Sequence, residues 1–237
     1  MSSSASAVDQ QALLFARDLA KLRRLNRTYE RMLPLPLDGK PPEAVVRTAT
    51  ALFTDLRGFS GLMERFADDP ARLFDVVNAH LAVMVRVILR CGGVVEKFVG
   101  DGVLATFGAH SDLPEHSERA LAAGMAAVGA NEALNHRCAG EWGFRLDMGV
   151  GISAGKMVLG IIGSAERSEF GILGDAVNVA ARLVGHAKPG EVLLTAAVYR
   201  GIADQVRADL ASLSTVRGRQ GDVEVYRIPL LGQGIPD

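Results

Sequence analysis

Between Gln11 and Leu33, apolar residues recur at seven-residue spacing: Phe15, Leu22 and Tyr29, and again Leu25 and Met32. The spacing predicts a helix over residues 11–33 with one apolar seam, interrupted at Asp18 and flanked by Arg and Lys. It fits a short coiled-coil stalk and equally an amphipathic helix packed on its own domain. Residues 1–10 are small and polar and predict disorder. Pro34-Leu35-Pro36 and Pro41-Pro42 end the helix, so residues 34–45 read as a linker.

Past the linker, strand and helix patterns alternate. Ala49 to Phe53 is an apolar run suited to a buried strand. Asp69-Pro70 supplies an N-cap and a first-turn proline. The helix they start carries Leu73, Phe74, Val77, Leu81, Met84 and Ile88, and stops at Gly92-Gly93. Val94–Val99 and Val103–Phe107 flank Gly100-Asp101-Gly102 and predict a hairpin. An Ala-rich helix over 115–137 follows. Phe144–Ile152 alternates as a strand, with Gly155–Ile162 as its expected hairpin partner and Ser164–Glu169 as a polar loop. A helix over Asp175–Val184, a strand at Val192–Thr195, a short helix to about Val206 and a strand at Val223–Ile228 complete the chain. The opening order β-α-β-β-α-β predicts a ferredoxin-like α+β fold. Its antiparallel sheet would carry helices on one face and additions at the C-terminal end.

Composition narrows the classes. A hydrophobic content of 49% over 237 residues supports a real core and excludes global disorder. The net charge of −1 argues against a nucleic-acid partner held by bulk electrostatics, and so against a polymerase palm. No apolar run approaches the ~20 residues of a membrane span. The N-terminus lacks a basic-then-apolar leader pattern. Cys91 and Cys138 form neither a disulfide framework nor a metal cluster, so a cytoplasmic setting is expected. The five histidines, His110 among them, show no ligand spacing and receive no role.

Two carboxylates stand out. Asp101 sits at a hairpin tip between glycines, and Asp55 at the end of the first strand. Taken singly, Asp101 is a good turn residue and Asp55 a good helix N-cap. Taken together, carboxylates on neighbouring strand ends suit magnesium, which prefers oxygen and keeps positions open for phosphate. Backbone amides around Gly58 suit a phosphate. Asn178 and Arg182, four apart, share one helix face.

FTDLRGFS, EKFVGDGVLATFG and GILGDAVNVAARL, in that order, resemble the class III nucleotidyl cyclase catalytic domain, bacterial type. The resemblance covers Val46 to Ile228, and residues 46–237 are taken as the catalytic domain. It implies a cyclase converting ATP to 3′,5′-cyclic AMP and pyrophosphate with two Mg²⁺ or Mn²⁺ ions held by Asp55, Asp101 and the backbone carbonyl of Leu56. It implies Asn178 and Arg182 as the transition-state pair, and Arg57, Gly58, Phe59 and Arg217 as substrate-binding positions. Arg217 stands where the family usually has a triphosphate-binding Lys, and Arg219 could do the same job. Lys97 occupies the purine-reading position and favours ATP; Gly171 occupies the partner position, usually Asp or Thr in ATP users. The missing side chain leaves a guanylate or relaxed-specificity cyclase as the alternative. A silent nucleotide-binding domain is the other alternative, although all four of Asp55, Asp101, Asn178 and Arg182 are present. The resemblance also implies a homodimer with sites shared between chains.

Overall fold

Asp69 does what its position predicts. Its carboxylate accepts the N–H of Arg72 at 3.2 Å, and Pro70 opens a helix that runs to Arg90. The structure, a computed structural model, describes residues 44–164, 168–211 and 223–228. The 11–33 helix, most of the 34–45 linker, and Arg217 and Arg219 lie outside the described residues.

In chain order the elements are β1 (Val45–Leu56), α1 (Phe59–Arg65), α2 (Pro70–Arg90), β2 (Val94–Val99), β3 (Gly102–Phe107), α3 (His116–Trp142), β4 (Met148–Gly163), β5 (Ser168–Leu173), α4 (Asp175–His186), β6 (Val192–Thr195), α5 (Ala196–Tyr199), β7 (Asp209–Ala211) and β8 (Val225–Ile228). Strand order is β2-β3-β1-β4-β6-β8-β7, with β5 paired to β4 off that path. The first four strands give the ferredoxin-like arrangement. All described pairings are antiparallel except β4 with β6.

The central strands are buried on both faces, and their alternation sorts two cores. Leu52 and Leu56 of β1 and Val103, Ala105 and Phe107 of β3 pack with α2 and α3. Ala49, Ala51 and Phe53 of β1 and Leu104 of β3 pack on the other face, against Ala176, Val177, Ala180 and Val184 of α4. Helices therefore cover both faces, not the one face expected. The two helices of the ferredoxin-like core share a face, and the C-terminal helix α4 closes the other.

A second expectation fails instructively. Residues 144–162 do not form a hairpin: β4 is one 16-residue strand from Met148, and its hairpin partner is β5. Ser153-Ala154 stands between the two expected strands, but the small residues of this stretch serve packing. A Cβ at Gly151 would lie 2.4 Å from the carbonyl oxygen of Ala180, and one at Gly155 would lie 3.3 Å from the Cβ of Ala176. Small residues there let α4 lie directly on the strand. β1 is also longer than its apolar run, because Val45 to Thr48 continue the pairing with β4.

Candidate active site

β1 carries Asp55 at its C-terminal end, and the β2–β3 hairpin carries Asp101 at its tip. Thr54 pairs with Val103, so the two ends lie side by side. The N–H of Leu56 donates to Oδ2 of Asp101 at 3.0 Å. On the β4 side, Arg57 N–H donates to the Asp147 carbonyl at 2.7 Å, a bond that flanks the Leu56–Met148 pair. Leu56 is therefore a non-hydrogen-bonded partner of β4, and its own N–H and C=O both turn toward the hairpin. Gly102 permits the approach. A Cβ there would meet the Thr54 carbonyl oxygen at 2.3 Å and Oδ1 of Asp55 at 3.3 Å.

Burial, and then the negative charge of Asp101, push the Asp55 carboxyl above the usual carboxylate range. The Arg57 guanidinium, hydrogen-bonded to Asp55, opposes this shift, and a hydrogen bond with Asp101 adds to it. Two crowded carboxylates of this kind suit a cation. Among the described residues no group of three or more His, Cys, Asp or Glu forms a metal cluster. The available donors are thus the two carboxylates and the Leu56 carbonyl, an all-oxygen set that fits Mg²⁺ or Mn²⁺ and leaves positions for phosphate.

Arg57 also reaches the Gly185 carbonyl of α4 at 3.4 Å. Gly58 has φ 69°, a left-handed conformation that favours glycine. Phe59 packs its ring against the α2/α3 core, which leaves its backbone as the part that can face a substrate.

Asn178 and Arg182 lie on α4, whose buried side is Ala176, Val177, Val179, Ala180, Leu183 and Val184. Asn178 is exposed and Arg182 half-buried. Neither side chain has a hydrogen-bond or ion-pair partner among the described residues, the Asp55–Asp101 pair of its own chain included.

Lys97 is exposed on β2, next to a bulge at Glu96. Gly171 pairs with Gly160, and a Cβ there would come 2.5 Å from Cδ1 of Ile162. The space of the missing side chain is thus occupied by the end of a flexible one. The structure brings the neighbours of these two positions together. Oε1 of Glu96 takes hydrogen bonds from Thr106 Oγ1 and from His110 Nε2, the latter at 2.7 Å. The His110 ring packs on Phe170 with centroids 5.8 Å apart. Sequence reasoning missed Ile162 and this network, and it gave Gly102 only a place at the hairpin tip, not the close approach to Thr54. One signal was present: a Glu, beside Lys97, inside the otherwise apolar VVEKFV run.

Residues 43–229 match the model of the adenylate and guanylate cyclase catalytic domain. The chain belongs to this family. An adenylate cyclase of Anabaena cylindrica is 26% identical to this chain over 241 residues, covering 94% of the chain and 47% of that protein. The terminal-differentiation-specific adenylate cyclase of Dictyostelium discoideum is 31% identical over 192 residues, covering 78% and 9%. The chain thus spans less than half the length of these curated relatives. The solved adenylyl cyclase CyaB from P. aeruginosa matches with TM-score 0.75 at 27% identity, covering 82% of this chain and 100% of that chain. The guanylyl cyclase Cya2 matches with TM-score 0.74 at 29% identity, covering 81% and 96%. Both nucleotide classes occur among the neighbours. Among the described residues, no helix is long and apolar enough to cross a membrane.

Proposed function

We propose that this cyclase domain converts ATP to 3′,5′-cyclic AMP and pyrophosphate at sites shared between two copies of the chain. The observation that carries the reading is the crowded Asp55–Asp101 pair, with its raised Asp55 pKa and the Leu56 carbonyl turned toward it. When bound there, two divalent ions supply Lewis-acid chemistry, easing loss of the 3′-hydroxyl proton and neutralising the triphosphate. The chain's own residues do the rest. Arg57 and the Gly58–Phe59 backbone hold phosphate oxygens, with Arg217 or Arg219 as further triphosphate ligands. Asn178 orients the ribose, so that the 3′-oxygen lies in line with the bond from the α-phosphorus to the bridging oxygen. The 3′-hydroxyl gives its proton to solvent water as the 3′-oxygen bonds to the α-phosphorus, that bridging bond breaks, and pyrophosphate leaves. Arg182 stabilises the charge that grows on the α-phosphate oxygens.

Two observations support sharing between chains. Asn178 and Arg182 make no hydrogen bond or ion pair to the carboxylates of their own chain, nor to any other described residue. Apolar residues also stand exposed on the hairpin and on the β4–β5 arm: Phe98 and Val99, then Ile161, Ile162 and Leu173. An exposed apolar surface of this kind marks an interface. A homodimer that is two-fold symmetric would then build two equal sites.

Lys97, a donor only, can meet a ring nitrogen of adenine or the O6 of guanine, and the family resemblance pairs Lys at this position with ATP. Glu96 is the acidic residue nearest the base-reading position, but its carboxylate is buried and already accepts from Thr106 and His110. It is therefore not available to accept from guanine. A second reading, relaxed specificity, is favoured by Gly171, which offers no side chain to the base. Purified protein given ATP or GTP with Mg²⁺ or Mn²⁺ tests both readings. Cyclic AMP as the main product supports the first, comparable cyclic AMP and cyclic GMP the second, and no cyclic product overturns both.

A further inference from the structure

We propose that Glu96, anchored by His110 and Thr106, is a positioning residue that turns Lys97 toward the substrate base. The inference rests on the reading of Lys97 as the base contact.

The strand register decides which face Lys97 occupies. β2 pairs with β3 as Val95↔Ala105 and then Lys97↔Leu104, so Glu96 is an extra residue in β2. Side chains directly across a ladder lie on the same face. Ala105 belongs to the core under α2 and α3, and Leu104 to the core under α4. Val95 therefore faces α2 and α3, and Lys97 faces the α4 side. In an unbroken strand, residues 95 and 97 share a face, because side chains alternate with period two. The bulge is what moves Lys97 to the α4 side, which also carries Asp55, next but one to Phe53 along β1.

A bulge leaves its extra residue outside the ladder, and something must fix that residue. Here the fixing is done by a buried carboxylate. The Glu96 side chain is 8% exposed and that of His110 6%. Both Thr106 Oγ1 and His110 Nε2 meet Oε1 of Glu96. A buried carboxylate is tolerated only when paired and hydrogen-bonded, so the group holds Glu96 in one place. The network also reaches across to the second base position. His110 packs on Phe170, and Phe170 precedes Gly171. One buried cluster thus ties the strand of Lys97 to the strand of Gly171, and in a chain whose residue 171 has no side chain the aim of Lys97 carries the base contact.

The test compares wild type with His110→Ala, Glu96→Ala and the conservative His110→Gln, which keeps a side-chain N–H donor. Two readouts are taken. The first is kcat and KM for ATP and for GTP. The second is equilibrium binding of 3′-deoxy-ATP and 3′-deoxy-GTP, which lack the attacking hydroxyl and report base recognition without turnover. The expected result for His110→Ala and Glu96→Ala is a KM for ATP raised about tenfold or more, and an adenine-over-guanine binding ratio reduced by a similar factor, the scale of one misplaced polar contact. The change in kcat stays smaller than the change in KM. His110→Gln restores most of both. A purely structural role predicts a lower melting temperature with an unchanged binding ratio, and that outcome overturns the proposal. Should Glu96→Ala fail to fold, His110→Ala and His110→Gln decide. Should wild type make no cyclic nucleotide, the cyclase reading fails while the analogue-binding ratios still decide the role of the clamp.

Discussion

The backbone N–H of Leu56 donates to the side chain of Asp101 at 3.0 Å, and so binds the hairpin tip to the end of β1. One hydrogen bond thereby fixes the separation of the two carboxylates, and it makes them unequal. Asp101 supports the backbone of β1, whereas Asp55 bonds to the side chain of Arg57.

The two alanine substitutions should therefore differ in stability and agree in activity. Asp55→Ala and Asp101→Ala should each abolish turnover at saturating Mn²⁺. Asp101→Ala also leaves the Leu56 N–H without its partner and should cost about 1–3 kcal/mol of stability. Asp55→Ala should cost less. Cyclase assays and denaturant melts of both variants check this; near-normal turnover in either variant would remove the two-carboxylate site.

The raised pKa of Asp55 has a signed consequence for stability. Its carboxyl holds a proton more tightly in the folded than in the unfolded state. Stability drawn from that proton is present below the unfolded value and is lost as pH rises through the folded one. In metal-free protein, Asp55→Asn should therefore gain on wild type as pH rises from the ordinary carboxylate range into the neutral range. A divalent ion reverses the order. Mn²⁺ at about 100 times its Kd should stabilise wild type by about 2.7 kcal/mol and leave Asp55→Asn almost unmoved. Thermal melts with chelator and with Mn²⁺, across pH, measure both effects.

Gly100 and Gly102 flank Asp101 but should respond differently to alanine. Gly100 has φ 61° with open space around it, so Gly100→Ala costs about 1–2 kcal/mol of backbone strain and keeps activity. Gly102→Ala drives a methyl against the Thr54 carbonyl, which cannot move without moving β1. It should cost about 1–3 kcal/mol and, by parting the carboxylates, most of the activity as well. Equal activities in the two variants would show that the close approach at Gly102 does not matter to the site.

Sharing of the site between chains is tested by mixing defects. Asp55→Ala should be inactive and Arg182→Ala nearly so. In a mixed dimer one site receives both defects and the other neither. Random pairing makes half the dimers mixed, so co-expression should return about a quarter of wild-type activity under two-fold symmetry. Activity of the wild type should also fall faster than linearly on dilution. A co-expressed mixture as inactive as its parents would place both residues in one chain's site or in separate functions.

The helix from Asp69-Pro70, the hairpin around Asp101 and the ferredoxin-like core were legible in the sequence because they rest on local signals. Asp69-Pro70 caps a helix wherever it is placed, and glycines around Asp101 between β-branched runs make a hairpin without help from distant residues. The two carboxylates were legible for the same reason, as acidic residues at strand ends. What the sequence could not decide is set by contacts between distant segments. Ser153-Ala154 looks like the break between two strands until α4, some twenty-five residues on, is seen lying against one continuous strand. Helices on both faces follow from that same packing. The bulge at Glu96 is a matter of register between two strands, and register depends on which partner a residue meets, so no periodicity in VVEKFV announces it. His110 had no visible role, because its partners Glu96 and Phe170 lie 14 and 60 positions away, and only the folded sheet brings their side chains into one buried cluster.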